Sequence, residues 1–241
     1  MAPAGIGDSV EGLHAVREAI LSGRVERLLI DRRRADDIDD LIGGESIPVD
    51  VVDDVRTQAR TDAPQGVIAR CRPILTISLD EAVGLVDPAA LIVLDHVEDP
   101  HNLGAVARSA RAAGVPVIVV GDRRSAFIGA VAFKAAAGAL EHVRVCVVKS
   151  IGDAVTRLKK AGVWTVGLTA DADNNLFGLS LLTEPVAIVA GAEGKGLSRL
   201  VEERVDVRAS IPMASGVESL NVSVAAALAM FEISRVRANS T

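Results

Sequence analysis

Three short stretches of this chain hold the polar groups that could do chemistry. The first, Asp95-His-Val-Glu-Asp-Pro-His-Asn-Leu-Gly104, runs into a segment carrying Arg108 and Arg111. Asn102 stands where a helix N-cap is expected, because its side chain can accept from the first free N–H groups. The second, Gly191-Ala-Glu-Gly-Lys-Gly196, sets the carboxylate of Glu193 among three glycines, which let a backbone approach a ligand closely. The third reads Ile-Pro-Met-Ala-Ser-Gly-Val-Glu-Ser-Leu-Asn-Val-Ser-Val-Ala from Ile211 to Ala225. There Ser219 is placed to cap the last helix. Asn221 then falls two residues inside, where Asn is a poor helix former, near buried surface, and needs a hydrogen-bond partner. A guanidinium, a carboxylate, two amides and a hydroxyl suit a frame that orients a reacting group and stabilises charge. Each stretch also has a plain reading: a cap, a tight turn and the start of a core helix.

The familiar nucleotide and hydrolase motifs fail. A P-loop needs Ser or Thr after its Lys, and Gly196 follows Lys195; it also needs Gly where Val189 stands. The dinucleotide fingerprint fails at Arg199, where its third Gly belongs. Ser219 lies in Val-Glu-Ser-Leu-Asn, which is no nucleophile elbow. Cys71 and Cys146 stand alone, with no CxxC and no paired His, so a zinc site is not expected and both read as inert buried thiols. His14 and His142 read as structural.

The elements that must position these loops form an α/β pattern. Strands are predicted at 91–97, 116–121, 143–148, 163–169, 186–190 and 207–211, and helices at 102–113, 128–141, 151–161, 198–205 and 219–237. Runs such as LIVLDHV, VPVIVV and VAIVAG are nearly continuously apolar. That means burial on both faces, hence a parallel sheet with helices on both sides. Ligands on such sheets sit at the carboxyl ends of strands. The loops at 95–102, 121–127, 169–178, 190–198 and 211–220 are therefore where a site belongs. Before this lies a small α/β unit over 1–73, with helices at 12–21, 36–42 and 53–59 and strands at 25–31, 47–52 and 66–71. Its 10 Lys+Arg against 14 Asp+Glu make it net −4. Residues 74–87 read as a weakly patterned linker framed by prolines, and 88–241 as the second domain.

Composition narrows the class. The 241 residues are 49% hydrophobic and 24% charged, with a net charge of −6. That is enough apolar surface for a packed core, which excludes wholesale disorder. Aromatics are 2%, which argues against a nucleic-acid surface built on base stacking. No run reaches the roughly 18 apolar residues of a membrane span, and the first residues carry no secretion signal, so a cytoplasmic protein is expected.

In combination the three stretches resemble the motifs of the SpoU (TrmH-like) RNA ribose 2′-O-methyltransferases of the SPOUT class. Asn102-Leu-Gly104-Ala-Val-Ala-Arg108 matches their Asn-x-Gly-x-x-x-Arg. Gly191 to Leu197 matches Gly-x-Glu-Gly-x-Gly-Leu, and Ile211-Pro212-Met213 with Ser219 to Ala225 matches the third motif, in the same order and spacing. The resemblance covers about 88–238. It implies a trefoil-knotted α/β domain with a parallel sheet, a homodimer with shared sites, and S-adenosylmethionine as cofactor. Gly191, Ile211 and Leu220 would hold the cofactor largely through backbone groups, with Thr169 and Gly196 nearby. Arg108 would be the activator, contributed across the dimer interface, and Asn102, Glu193, Ser219 and Asn221 its hydrogen-bonded frame. The first unit is similar to the small RNA-binding domain of bacterial rRNA members, through Val10 to Ala19 and Gln65 to Ala69. It departs from them at Pro64, where the family often has His.

The reaction implied is methylation of a ribose 2′-hydroxyl in RNA, with a guanosine of large-subunit rRNA as target. A tRNA target is the nearest alternative. A non-catalytic RNA-binding or assembly protein is the rival from another class, and a small-molecule methyltransferase a third. Phosphate affinity comes from Lys and Arg, so a net-acidic chain must concentrate its cations locally. Three clusters qualify: Arg32-Arg33-Arg34, Arg123-Arg124 with Lys134, and Arg235 with Arg237. Of these, Arg123, Arg124 and Lys134 are the expected RNA contact, beside the first motif. His96 and His101 flank that motif as further candidates.

Overall fold

The computed structural model describes residues 6–239. Two sheets organise the chain. The first is built from β1 (Ser9–Glu11), β2 (Val25–Asp31), β3 (Val49–Val52) and β4 (Val67–Cys71), in the order β1-β4-β2-β3. β4 runs antiparallel to both neighbours, while β2 and β3 are parallel. Helices α1 (Leu13–Leu21) and α2 (Ile38–Ile42) belong to this unit. β1 is short and was not anticipated. It is fixed by pairing with β4 and by Glu11, a buried carboxylate that accepts from Arg60 N at 2.6 Å and Thr61 N at 3.0 Å.

The second sheet has seven strands. They are β5 (Ala90–Asp95), β6 (Val117–Gly121), β7 (Arg144–Val148), β8 (Trp164–Leu168), β9 (Asn174–Asn175), β10 (Val186–Gly191) and β11 (Val207–Ser210). Their order is β7-β6-β5-β10-β8-β11-β9, and every pairing is parallel. Burial on both faces shows in the alternation of each central strand. Ile92, Leu94, Ile118, Val120 and Ile188 enter one core; Leu91, Val93, Val117, Val119 and Val189 enter the other. The first core is covered by α4 (Pro100–Ala113), α5 (Ala130–Ala135) and α8 (Val222–Ala238). The second is covered by α3 (Leu79–Val83), α6 (Ile151–Lys160) and α7 (Arg199–Arg204). The six strands expected here thus hold to within a few residues at each end, while the two-residue β9 lies in the stretch over 169–178 expected to be a loop.

The helix starts differ, and each difference has a local cause. α4 begins at Pro100, capped by Asp99, which accepts from His101 N at 2.8 Å. Asn102 is therefore inside the first turn and its side chain is free to point elsewhere. α8 begins at Val222 with Asn221 as its cap, not Ser219. The helix expected over 128–141 breaks after Ala135. Ala137 and Gly138 take left-handed conformations, at φ 48° and 87°, before a 3₁₀ turn at Ala139–Glu141. A Cβ on Gly138 would lie 2.2 Å from Cγ of Glu18, so the break makes room for α1 of the first unit. The helix expected at 53–59 shrinks to a 3₁₀ turn, Val55–Thr57, and that at 36–42 opens with a 3₁₀ segment, Arg32–Asp37.

The stretch over 74–87 is structured. Ser78 and Glu81 form a reciprocal capping box at the start of α3, and Ile77 N donates to Val145 O at 3.0 Å beside β7. The two units also share one continuous core, with Val10, Ala69 and Cys71 in the same buried cluster as Phe133 and Ala136. Arg24 of the first unit pairs with Glu141 of the second at 2.6 Å, with side-chain exposures of only 13% and 1%.

Candidate functional site

The carboxyl ends of β8, β10 and β11 enclose a cavity of about 460 Å3, the size of a small-molecule site. The loop after β10 forms its floor. Ala192 and Gly196 bridge across this loop, with Gly196 N donating to Ala192 O at 2.9 Å, while Gly194 and Gly196 take φ of 71° and 64°. Gly191 is obligatory for another reason. A Cβ there would lie 2.1 Å from the carbonyl carbon of Gly196, so any side chain would force the loop open. Thr169, Gly191, Gly196, Ile211 and Leu220, the residues expected around a cofactor, all line this one cavity. The Oγ1 of Thr169 is buried there with no hydrogen-bond partner among the described residues, although its backbone N donates to Ala209 O at 3.1 Å. A buried hydroxyl without a partner is costly unless a ligand satisfies it.

Beyond the Glu193 loop lies a second cavity of about 520 Å3, with the polar and charged side chains of His96, Asp99, Asn102, Arg124, Glu193 and Lys195 on its border. The wall between the two cavities is a hydrogen-bonded cluster drawn from three elements. Asn221 is the N-cap of α8, and its Oδ1 accepts from Ser223 N at 2.8 Å and Val224 N at 3.4 Å. With the oxygen committed to the helix, the amide nitrogen must face outward. It donates to Glu193 Oε1 and, at 3.0 Å, to Asn102 Oδ1. Asn102 Nδ2 in turn donates to Glu193 Oε1 at 3.1 Å. Each group thus fixes the next. Asn221 is itself exposed, next to the buried Val222, and has the hydrogen-bond partners expected of it.

Not every expected residue joins it. Ser219 lines the first cavity without bonding to the cluster. Arg108 is exposed on α4 two turns past Asn102, borders neither cavity, and has no ion pair or hydrogen bond among the described residues. Arg124 borders the second cavity, and Arg123 beside it is exposed. Lys134 is turned toward the first unit, where its ammonium donates to Ala63 O. The other two basic clusters are engaged internally. Arg32, Arg33 and Arg34 pair with Asp53, Asp31 and Asp37, and Arg235 pairs with Glu232. Arg237 donates to the carbonyls of Leu182, Pro88, Ala89 and Glu184.

One positioning residue escaped the sequence reading. Asp95 ends β5 fully buried, and its Oδ2 accepts from Ser198 N at 2.7 Å, pinning the far end of the glycine loop to the sheet. Its signal was present: a lone carboxylate closing the apolar run LIVLD. Both thiols are shielded. Burial pushes Cys71 up to about 12 and Cys146 to about 11, so neither is a nucleophile at neutral pH. Among the described residues no group of His, Cys, Asp and Glu could hold a metal ion, and no helix is long and apolar enough to cross a membrane.

Comparison with known proteins matches this architecture. Residues 89–231 match the SpoU rRNA Methylase family, and residues 9–75 match the RNA 2′-O ribose methyltransferase substrate-binding family. The 23S rRNA (guanosine-2′-O-)-methyltransferase RlmB of Shewanella oneidensis is 40% identical over 242 residues, 95% of this chain and 98% of that one. The RlmB of Ralstonia nicotianae is 41% identical over 211 residues, 86% of this chain and 84% of that one. The SpoU methyltransferase AviRb from Streptomyces viridochromogenes, solved with AdoMet, shares the fold. Its TM-score is 0.80 at 24% identity, over 96% of this chain and 90% of that one. With a family model spanning more than half its length and relatives of this identity across nearly all of it, the chain belongs to the SpoU rRNA methylase family.

Proposed function

We propose that the protein methylates a ribose 2′-hydroxyl in RNA, at a guanosine of 23S rRNA, with S-adenosylmethionine as methyl donor. The observation that carries this reading is the Asn102–Glu193–Asn221 cluster standing between two cavities. A cofactor-sized cavity on one side and a cavity bordered by Arg124 and Lys195 on the other are what group transfer between a small donor and a nucleotide needs. The names of the 23S rRNA methyltransferases aligned over nearly the whole chain support the choice of target.

The residues present fit the cofactor. Thr169 Oγ1 offers an unsatisfied hydrogen-bonding group, and the missing Cβ of Gly191 leaves a backbone cradle. Ile211 and Leu220 add apolar lining, while Glu193 and Glu218 supply negative charge for a cationic ligand. S-Adenosylmethionine supplies, when bound, a methyl on a sulfonium, which is already a good leaving group. The difficulty lies in the nucleophile, a weakly acidic hydroxyl that must be placed in line and relieved of its proton. Asn102, Glu193 and Asn221 orient ribose and cofactor. Arg108 supplies a cationic guanidinium with five N–H donors and no acceptor. It binds the adjoining phosphate, through which the 2′-hydroxyl proton is passed to solvent, and stabilises the alkoxide charge as it develops. Ser219 completes the frame on the cofactor side.

The family reading brings with it a trefoil-knotted catalytic domain over 88–241, a small RNA-binding domain over 1–73 joined through 74–87, a homodimer, and action in the cytoplasm. Two observations support the dimer. Arg108 lies apart from the cavities of its own chain. On α8, Val224 and Phe231 remain 46% and 50% exposed, seven residues apart on one stripe of a helix whose other face is buried. Arg123, Arg124 and Lys134 are the proposed RNA contacts of the catalytic domain.

The test is transfer of radiolabelled methyl to unmodified rRNA and tRNA in separate reactions, followed by nuclease mapping. Label on a 2′-oxygen of 23S rRNA is expected. Label in tRNA alone would overturn the target. Label in neither, with cofactor bound, would favour a non-catalytic RNA-binding protein.

A further inference from the structure

The loop between β6 and α5 carries Arg123, Arg124 and Phe127 within five residues, at the carboxyl end of the sheet. It is held at both sides: Asp122 N donates to Val148 O and Ala126 N to Val97 O, each at 2.8 Å. Arg124 adopts a left-handed φ of 53°, unfavourable for a residue with a side chain, and so reaches the border of the second cavity. Neither Arg123 nor Arg124 has an ion pair or hydrogen bond among the described residues, whereas most other arginines of the chain do. Phe127 is 65% exposed yet fixed. A Cβ on Gly129 would lie 2.4 Å from Cε1 of the ring, so the ring rests against the Gly129 backbone, and Gly129 N donates to Phe127 O at 2.9 Å. The loop then enters α5, which packs on β1. It therefore lies between the second cavity and the first unit.

We infer that Phe127 is a stacking platform for a base of the RNA strand flanking the methylated nucleotide, with Arg123 and Arg124 holding the neighbouring phosphates. This rests on the RNA methyltransferase reading above. Charge complementarity selects the occupant, because RNA supplies a π face and anionic phosphates at adjacent positions, which is what a fixed ring beside two unneutralised guanidiniums accepts. The low aromatic content excludes a surface paved with such platforms, not a single one. Base–aromatic stacking tolerates any base, so Phe127 contributes affinity and strand path, not sequence choice.

The experiment uses the chain's single tryptophan to advantage. In a Trp164→Phe background, Phe127→Trp leaves one indole, at the platform. The full-length protein is titrated with an unmodified 23S rRNA transcript and, separately, with S-adenosylmethionine. RNA is expected to quench the indole and the cofactor alone to leave it unchanged. Phe127→Ala is expected to raise KM for RNA on the order of tenfold, with kcat and cofactor affinity unchanged, and Phe127→Trp to restore it. RNA binding without quenching, an unchanged KM in Phe127→Ala, or a change in oligomeric state in that variant would each overturn the platform. If the wild-type protein binds this RNA but transfers no methyl to it, the proposed function fails while the quenching titration still decides the platform. No RNA binding at all overturns both.

Discussion

Asn221 shows how much one side chain can be asked to do. Its oxygen caps α8 and its nitrogen bonds Glu193 and Asn102. Asp keeps the first role and cannot perform the second, having no donor. Asn221→Asp should therefore keep the cap of α8, because Asp caps as well as Asn, and lower the melting temperature only slightly, through repulsion between two solvent-exposed carboxylates. It should cut methyl transfer on the order of a hundredfold, the scale of losing one preorganised donor. An Asp variant with wild-type turnover would remove the cluster from the mechanism. Thr169 invites the opposite experiment. Its buried Oγ1 has no partner among the described residues, so Thr169→Val removes an unsatisfied group at nearly constant shape. The variant should be as stable as wild type or more so, by up to about 1 kcal/mol, and should bind S-adenosylmethionine about tenfold more weakly. Denaturant unfolding and calorimetric titration read the two effects separately. Loss of stability with cofactor affinity intact would mean that the hydroxyl serves the fold instead.

At the scale of elements, the contact between the two units turns on α1 and the broken α5 segment. Arg24 bonds Glu141 through two nitrogens, donates to Gly7 O at 3.1 Å, and stacks over Phe133 at 5.6 Å. Desolvation opposes its charge, yet the bonds to Glu141 outweigh it and leave the guanidinium raised above its ordinary value. Removing one partner of a buried pair strands the other, so Arg24→Ala should cost about 3 kcal/mol in urea unfolding. A cost below about 1 kcal/mol, the value of a surface pair, would show that water reaches Glu141. Next to this pair, a hydrogen bond with His142 holds the Glu18 carboxyl below its usual range, against the opposing effect of burial and with help from Arg111. A lowered carboxyl pKa contributes stability that is present above the unfolded value, about 4.3, and lost as pH falls through the folded value. Stability should accordingly decline below about pH 4.3, and Glu18→Gln should flatten that part of the profile. An unchanged profile would assign the acid sensitivity to other carboxylates.

For the whole molecule, the decisive question is where Arg108 acts. It lies outside both cavities of its own chain, so the proposed dimer makes a specific demand. Arg108→Ala and Glu193→Gln chains should each be inactive. Mixed and allowed to exchange subunits, they should recover about a quarter of wild-type transfer, because half the dimers are mixed and each holds one intact site. No recovery, with exchange demonstrated, would place Arg108 in its own chain's site. The same scale resolves the charge paradox of a net −6 chain proposed to bind RNA. Most cations are neutralised within the fold, whereas Arg108, Arg123 and Arg124 have no such partners among the described residues. Phosphate affinity depends on where free cations stand, not on their sum.

Much of this protein is legible in its residues alone. The nearly continuous apolar runs at 91–97, 116–121 and 186–190 read as strands buried on both faces, because a half-exposed strand alternates apolar with polar positions. The rule that ligands gather at strand carboxyl ends then located the loops that the structure closes into cavities. Local signals did less well where two readings competed. Asp99 and Asn102 both stand at the start of α4 as candidate caps, and Pro100, which has no N–H to lose at N1, decides for Asp99. Ser219 and Asn221 both precede α8, and only the site's need for a donor at Glu193 shows why Asn takes the cap. The capping box of Ser78 and Glu81 was written in the chain and marks α3 within an apparent linker. Tertiary structure alone decided the rest. The break at Gly138 answers to Glu18, more than a hundred residues earlier, and the pairing of Arg24 with Glu141 joins two units whose patterns are independent in sequence. Periodicity reports which face of an element is buried. It carries no information about which distant side chain will occupy the space beside it, and that choice placed both the helix break and the amide cluster at the site.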